Sequence, residues 1–203
     1  MTEGFSGYYD ATAGRPPRKA LLAALDRFRH EAGFAVDLGC GDGRDTVELL
    51  RRGWSVLAID AEAEALDRLR ARDLPPGARL DTRQARFEAS AWPSCQLVNA
   101  SFSLPLCPPE EFPALWQRIA GSLVPGGRFA GQLYGPRDDW AGRPGTTHHD
   151  RAAVESLLAG FEIEMLEEEE SDAITPRGHP KHWHIFHIVA RMAHAIEGGK
   201  ARI

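Results

Sequence analysis

The chain has 203 residues and a formal net charge of −5, with 43% hydrophobic and 26% charged residues, values typical of one soluble globular domain. The negative charge argues against a nucleic-acid partner, which usually requires a basic face. No apolar run approaches the ~20 residues that cross a bilayer, and the N-terminus has no apolar secretory segment. Cys40, Cys95 and Cys107 lack C-x-x-C spacing, so we expect a reduced, cytoplasmic protein.

The N-terminal segment, residues 1–17, contains Tyr8 and Tyr9 among several glycines and precedes a helical pattern. Leu21, Leu22, Leu25 and Phe28 give that pattern its helical spacing. The two tyrosines either line a pocket or anchor the segment to the domain.

A strand, a glycine turn and a helix follow. The apolar run 34–38 predicts a buried strand, and residues 46–50 have helical spacing. Between them, Gly39, Gly41 and Gly43 allow a tight turn that a ligand can approach closely. The helix N-terminus adds free N–H donors and a partial positive charge. This stretch therefore predicts a ligand site.

The next predicted strand, 55–60, ends in a carboxylate. Asp60 follows Gly39 by 21 positions (60 − 39), and an acid at about this distance accepts hydrogen bonds from ribose hydroxyls. An N-cap for the helix from Ala61 is the alternative. Dinucleotide binding would place a third glycine where Arg44 stands.

Further helices are predicted over 63–74, 110–123 and 151–158. Strands are predicted over 78–85, 95–102, 128–134, 161–166 and 183–190, and the acidic run 167–170 is read as a solvated strand end. The alternation of strands and helices favours an α/β fold, and the last two strands suit an antiparallel hairpin.

Two motifs resemble those of a known family. Residues 36–43, Val-Asp-Leu-Gly-Cys-Gly-Asp-Gly, resemble motif I of the class I S-adenosylmethionine (SAM) dependent methyltransferases, and residues 123–129 match their Leu-x-Pro-Gly-Gly-x-Phe turn. The resemblance covers 18–192, leaving 1–17 as a segment capping the pocket and 193–203 as a flexible tail. It implies a Rossmann-like α/β fold with a seven-stranded, mostly parallel sheet of order 3-2-1-4-5-7-6 and helices on both faces.

The resemblance also implies the cofactor, S-adenosyl-L-methionine, and the residues that bind it. We expect ten residues to contact the methionine end, ribose and adenine of the cofactor or to lie around them: Asp37, Gly39, Cys40, Gly41, Asp60, Ala61, Arg86, Phe87, Asn99 and Ala100. The family often has an acid at the position of Arg86, and a guanidinium cannot accept a hydrogen bond from adenine. Stacking on Phe87 or Arg86 is the expected substitute.

The acceptor is expected at the carboxyl ends of the strands, near Asn99 and Phe102. Tyr8, Tyr9 and His148 are further acceptor-side candidates, and we predict His148, Asn99 and Tyr9 as catalytic residues. Imidazole titrates near neutrality, so His148 or His149 suits a general base.

Four histidines cluster near the last strand, at positions 179, 182, 184 and 187, but nothing completes a ligand set and no metal is predicted. The sequence from Val98 to Pro105 looks like that of bacterial small-molecule methyltransferases of the tellurite-resistance and related types. We therefore predict methyl transfer from SAM to a small-molecule acceptor. An NAD-dependent oxidoreductase and a non-catalytic SAM-binding regulatory module remain alternatives, and the oligomeric state stays open.

Overall fold

The computed structural model describes residues 6–29 and 32–193. Six helices and seven strands alternate along this part of the chain. The helices are α1 (Ser6–Thr12), α2 (Lys19–Leu25), α3 (Arg44–Arg51), α4 (Ala63–Arg70), α5 (Phe112–Ser122) and α6 (Arg151–Leu157). The strands are β1 (Phe34–Leu38), β2 (Ser55–Asp60), β3 (Arg79–Gln84), β4 (Cys95–Ala100), β5 (Leu123–Tyr134), β6 (Phe161–Ile174) and β7 (Pro180–Met192). Two short 3₁₀ turns cover Phe87–Ala89 and Leu104–Leu106.

The strands form one sheet in the order β3-β2-β1-β4-β5-β7-β6. Strands β1 to β5 pair in parallel, whereas β7 pairs antiparallel with both β5 and β6. The predicted strand order and the terminal hairpin are therefore confirmed. The carboxyl ends of β1, β2, β4 and β5 meet at one edge of the sheet, where open α/β sheets bind their ligands.

Helices cover both faces of the sheet because the central strands are apolar on both sides. One buried cluster joins α5 and α6 to Phe129 and Phe186, and the other joins α2, α3 and α4 to Ala130 and Val189. Residues alternate between these clusters along β5 and β7, as strand geometry requires. Within the part of the chain that the structure covers, no helix is long and apolar enough to cross a membrane.

Several predicted boundaries were wrong. The helix predicted over 63–74 ends at Arg70, because the residues before Pro75 and Pro76 are disfavoured in helical conformation. Strand β6 does not end at Leu166 but continues through the acidic run to Ile174, since every residue there has a partner on β7. The last strand is likewise longer than predicted and begins at Pro180.

The Pro-Gly-Gly turn opens strand β5 as an irregularity in its pairing with β4. A Cβ on Gly127 would lie 2.9 Å from the carbonyl oxygen of Val124 and 3.0 Å from that of Gln96. Both neighbours are backbone atoms that cannot swing away. Glycine is therefore required at this position by packing, which agrees with the predicted structural role of the motif.

Candidate functional site

The glycine turn lies at the carboxyl end of β1. The backbone N–H groups of Gly39 and Cys40 both donate to the carbonyl oxygen of Ile59, at 2.8 and 3.1 Å, which ties the turn to β2. Gly39 has a φ of 66°, and a Cβ there would lie only 2.4 Å from the Cβ of Ser103. The turn is therefore fitted closely between the ends of β2 and β4.

Asp60 connects the turn to the next strand. Its Oδ2 accepts a hydrogen bond from the N–H of Gly41 at 2.8 Å, and its Oδ1 accepts one from the N–H of Glu62 at 2.9 Å. Burial raises the pKa of the carboxyl group, and the backbone hydrogen bonds oppose that shift. Each oxygen of a carboxylate has a further lone pair, so Asp60 can support the turn before α4 and still accept from ribose hydroxyls.

Helix α1 lies over this turn through Tyr9. The ring of Tyr9 is 4% exposed, and its Cε1 is 3.5 Å from the position that a Cβ on Gly41 would occupy. Burial, followed by the nearby charge of Asp60, raises the pKa of the phenol above its ordinary value. Tyr9 therefore stays protonated at neutral pH and lies beside the glycine turn, and its catalytic role stays a prediction.

A buried polar cluster lies beneath the turn. Asp37 accepts hydrogen bonds from the Thr46 hydroxyl at 2.5 Å and from the Asn99 amide at 2.9 Å. The same amide lies 3.3 Å from Asp45, whose other oxygen accepts from the backbone N–H of Arg18 at 2.9 Å. Burial and the neighbouring Asp45 raise the pKa of Asp37 to about 7.

The same cluster holds Asn99, for which the sequence predicted a catalytic role. The side chain is fully buried, its amide nitrogen serves the two carboxylates, and its oxygen accepts from Ser101 at 3.3 Å. An amide held on both ends in this way positions Asp37 and Asp45, and the catalytic role of Asn99 stays a prediction.

The predicted adenine side lies across the turn from Asp37. Phe87 is half-buried, and its Cε1 is 3.7 Å from the position of a Cβ on Gly39, so its ring borders the turn as expected. Arg86 is exposed and its guanidinium pairs with the buried carboxylate of Glu88. The acid that the family often has before Phe87 is therefore replaced here by an ion pair.

The remaining predicted cofactor residues differ in exposure. Ala61 is exposed, and its carbonyl oxygen accepts from the Gln84 amide at 3.4 Å. Ala100 and Cys40 are buried, and burial raises the pKa of the Cys40 thiol well above its ordinary value. Both therefore contribute packing and backbone to the site.

Aromatic side chains line the same edge of the sheet beyond β4. Phe102 has a φ of 59°, rare for a residue with a side chain, and its N–H donates to Gln132 Oε1 at 3.0 Å. Its ring makes edge contacts with Trp183 at 6.4 Å and His187 at 6.3 Å between centroids. The guanidinium carbon of Arg18 lies 4.4 Å from the centroid of the Phe102 ring. We call Arg18, Phe102, Trp183 and His187 the acceptor wall.

Most of the acceptor wall was missed by the sequence prediction. Phe102 was predicted from its place after β4, but Arg18 read only as a residue near a helix start. Trp183 and His187 read as part of a strand. No local pattern marks these three, because the contacts that join them to Phe102 span from about 80 to 85 positions along the chain.

A buried ion pair supports the acceptor wall from behind. Lys181 Nζ lies 2.6 Å from both carboxylate oxygens of Asp138 and 3.4 Å from the centroid of the Trp183 ring. Tyr134 and Trp140 complete the enclosure, with ring centroids 4.8 and 4.5 Å from the same nitrogen. The pair fixes the loop after β5 to the start of β7.

The two predicted base candidates after β5 differ in their surroundings. His148 is exposed and forms a backbone bridge with Tyr134 at the carboxyl end of β5, so its side chain can reach solvent at the correct edge. His149 packs on Phe112 with ring centroids 4.5 Å apart. Burial lowers the pKa of His149 to about 4. His149 is therefore neutral at physiological pH and belongs to the core.

The histidines of β7 pair with carboxylates of β6. His182 contacts Asp172 and Glu170, at 2.8 and 3.1 Å, and His187 lies 2.9 Å from Glu169. Over residues 6–29 and 32–193, no group of three or more potential ligands is arranged to hold a metal ion.

The chain matches known proteins over this same region. Residues 35–127 match the family model described as "Methyltransferase domain". Two proteins named trans-aconitate 2-methyltransferase match: one from Rhizobium meliloti is 35% identical over 127 residues, and one from Afipia carboxidovorans is 32% identical over 120 residues. These alignments cover 59% and 58% of this chain but only 44% of each relative, so less than half of each relative's length is matched.

Solved structures agree on the fold. TehB from Haemophilus influenzae superposes with a TM-score of 0.77 at 17% identity, covering 93% of this chain and 65% of that one. Magnesium protoporphyrin IX methyltransferase from Synechocystis PCC 6803, crystallised with S-adenosylhomocysteine (SAH), superposes with a TM-score of 0.70 at 15% identity, covering 95% of both chains. Identities this low establish the fold alone.

None of these matches supports an NAD-dependent oxidoreductase or a regulatory module. The strand order and the solved structures show the class I methyltransferase fold, and residues 35–127, which include the glycine turn and Asp60, match the methyltransferase domain model.

Proposed function

We propose that this protein transfers a methyl group from SAM to a small-molecule acceptor. The observation that carries the proposal is the hydrogen bond between the Asp60 carboxylate and the N–H of Gly41, which brings a ribose-binding acid to the glycine turn. Both lie at the carboxyl edge of the parallel strands, where such sheets bind ligands.

The residues around the turn suit the cofactor. A Cβ on Gly41 would enter the space in front of the Tyr9 ring, so glycine leaves that space open. Asp37, Gly39 and Gly41 would hold the methionine end, Asp60 the ribose, and Phe87 would flank the adenine. The buried Cys40 and Ala100, the exposed Ala61 and Arg86, and the carboxylate-holding Asn99 would complete the surroundings.

The acceptor would lie against the acceptor wall, between the ends of β4 and β7. Bound SAM supplies a methyl carbon on a sulfonium, so the acceptor's lone pair forms the new bond while the electrons of the S–CH₃ bond return to sulfur. The protein's main contribution is to hold the acceptor in line with that bond and to keep water away. His148 remains the proposed base for an acceptor that arrives protonated, since its exposed ring lies at this edge.

The remaining expectations stay proposals. Residues 1–17 would cap the pocket, and the contact of Tyr9 in α1 with the glycine turn supports that role. The domain would extend over 18–192, and the tail proposed for 193–203 lies almost wholly outside the described residues. We keep the cytoplasm as the proposed location, because Cys40, Cys95 and Cys107 are buried free thiols.

Calorimetric titration of the protein with SAH and, separately, with NAD tests the cofactor. Wild type should bind SAH and not NAD. Asp60→Ala should weaken SAH binding by roughly 1–3 kcal/mol, because ribose hydroxyls lose their acceptor. Asp67→Ala removes an exposed acid of α4 and should leave the affinity unchanged. Unchanged SAH affinity in Asp60→Ala, with both variants folded by circular dichroism, would refute the ribose role.

A further inference from the structure

The guanidinium of Arg18 occupies a prominent place on the acceptor wall. It lies over the Phe102 ring, and its Nη2 donates to the Tyr8 hydroxyl at 3.3 Å. No carboxylate forms an ion pair with Arg18 anywhere in residues 6–29 and 32–193, although Asp45 accepts from its backbone N–H. The guanidinium is thus oriented by an aromatic ring and a hydroxyl, without a direct carboxylate partner.

A second arginine adds to this positive charge. Arg44 donates through Nε to the carbonyl oxygen of Pro16 at 2.5 Å, while its Nη1 is buried with no hydrogen-bond partner. Burial and the neighbouring charge of Arg18 lower the pKa of Arg44. Among the described residues neither guanidinium has an ion pair, and the nearby carboxylate of Asp45 offsets part of the repulsion between the two cations.

Two nearby guanidinium groups without ion pairs are energetically unfavourable, and a bound anion would relieve this. A buried N–H without a partner is energetically unfavourable, and like charges disfavour one another in a partly desolvated place. A guanidinium presents parallel donors that match a carboxylate. Other arginines, including Arg52, Arg128 and Arg191, form ion pairs with acids.

We propose that Arg18 binds a carboxylate of the methyl acceptor, with the rings of Phe102 and Trp183 flanking the acceptor's apolar body. This inference rests on the proposed function and specifies the acceptor as a small organic acid. The strained backbone of Phe102 fits this role, because Gln132 fixes the position of its ring beneath the guanidinium. Arg44 adds a second positive charge to the same edge.

The competing explanation is that Arg18 only fastens the N-terminal segment to the domain through Tyr8. The two explanations differ in what the loss of Arg18 affects. A fastening role lowers stability and SAH binding together, because α1 covers the glycine turn. An acceptor-binding role weakens carboxylate binding and leaves SAH binding intact.

The test is calorimetric titration of SAH-saturated protein with benzoate, trans-cinnamate and succinate, each compared with its methyl ester. At least one acid should bind, and its ester should bind at least about tenfold more weakly. Arg18→Gln should reduce the binding affinity for that acid by roughly tenfold to a hundredfold, as expected for loss of a charged hydrogen bond. Arg18→Lys keeps the positive charge but loses the parallel donors of the guanidinium. Its affinity for the acid should therefore lie between those of wild type and Arg18→Gln.

Arg15→Gln is the matched control, since it removes a nearby exposed arginine with no ion pair in the described chain, and it should change the affinity less than about twofold. Equal binding of acid and ester, equal loss in Arg15→Gln and Arg18→Gln, or no binding of any acid would overturn the inference. Loss of SAH binding in Arg18→Gln would favour the fastening role instead. Failure of wild type to bind SAH would overturn the proposed function, a separate outcome.

Discussion

Breaking the buried ion pair of Lys181 and Asp138 should destabilise the protein far more than breaking an exposed pair of the same length. The side chains of Lys181 and Asp138 are 1% and 0% exposed, and Lys181 Nζ is 2.6 Å from Asp138 Oδ1. Lys19 and Glu167 have the same N–O distance, 2.6 Å, but their side chains are 69% and 50% exposed. The two pairs therefore isolate the effect of burial.

Lys181→Met removes the cation and leaves Asp138 without a counter-ion. Asp138 would keep only the backbone N–H groups of Trp140 and His184, at 2.9 and 3.2 Å. Removing one partner of a buried pair costs about 3–5 kcal/mol, and the contact with Trp183 adds to that loss. Lys19→Met should cost less than about 1 kcal/mol, because water already solvates both groups.

The assay is urea unfolding followed by far-UV circular dichroism, which is insensitive to local changes around the tryptophans. A double variant, Lys181→Met with Asp138→Asn, should recover part of the loss, with a coupling energy of roughly 1–3 kcal/mol. Equal free energies of unfolding for Lys181→Met and Lys19→Met would refute the reasoning, as would additive effects in the double variant.

Two further predictions concern the buried acid and the Pro-Gly-Gly turn. Because the pKa of Asp37 rises from 3.8 to about 7 on folding, the contribution of Asp37 to stability should fall as pH increases from about 4 to about 7, by at most about 4 kcal/mol, while the lowered pKa of His149 gives an opposite slope over pH 4 to 6.5. Asp37→Asn should reduce this slope in urea unfolding at a series of pH values, and an identical slope would contradict the assignment. Gly127→Ala should destabilise by roughly 1–3 kcal/mol, because its Cβ meets backbone atoms. Gly121→Ala in α5 meets nothing within 4 Å and should be neutral or stabilising by up to ~1 kcal/mol, so equal shifts in the thermal midpoint would refute the packing argument.

The order of elements could be predicted from the sequence because the central strands are buried on both faces and read as short apolar runs. The extent of β6 could not. Its second half is rich in glutamate, a residue that strands disfavour. These glutamates pair with residues on β7 and in the loop after β5: Glu168 pairs with His184, and Glu170 pairs with Arg137. Contacts across such separations leave no local pattern.

The same distinction holds at the site. The turn at Gly39 and Gly41 could be predicted because strand, turn and helix are consecutive in the chain. The hydrogen bonds of Asn99 could not be predicted, because its amide contacts Asp37 and Asp45, which are more than 50 positions away. Its position at the end of β4 was correct, but the direction of the side chain depends on the fold.

Strand β6 lies at the edge of the sheet, where its unpaired backbone groups offer a template for another strand. The run Glu167–Glu170 and the flanking Glu162 and Glu164 place carboxylates along that edge. A second copy pairing edge to edge in antiparallel register would bring these like charges opposite one another, which is destabilising. The acidic strand therefore protects the sheet from uncontrolled growth by strand addition, and neutralising its glutamates would expose the protein to aggregation.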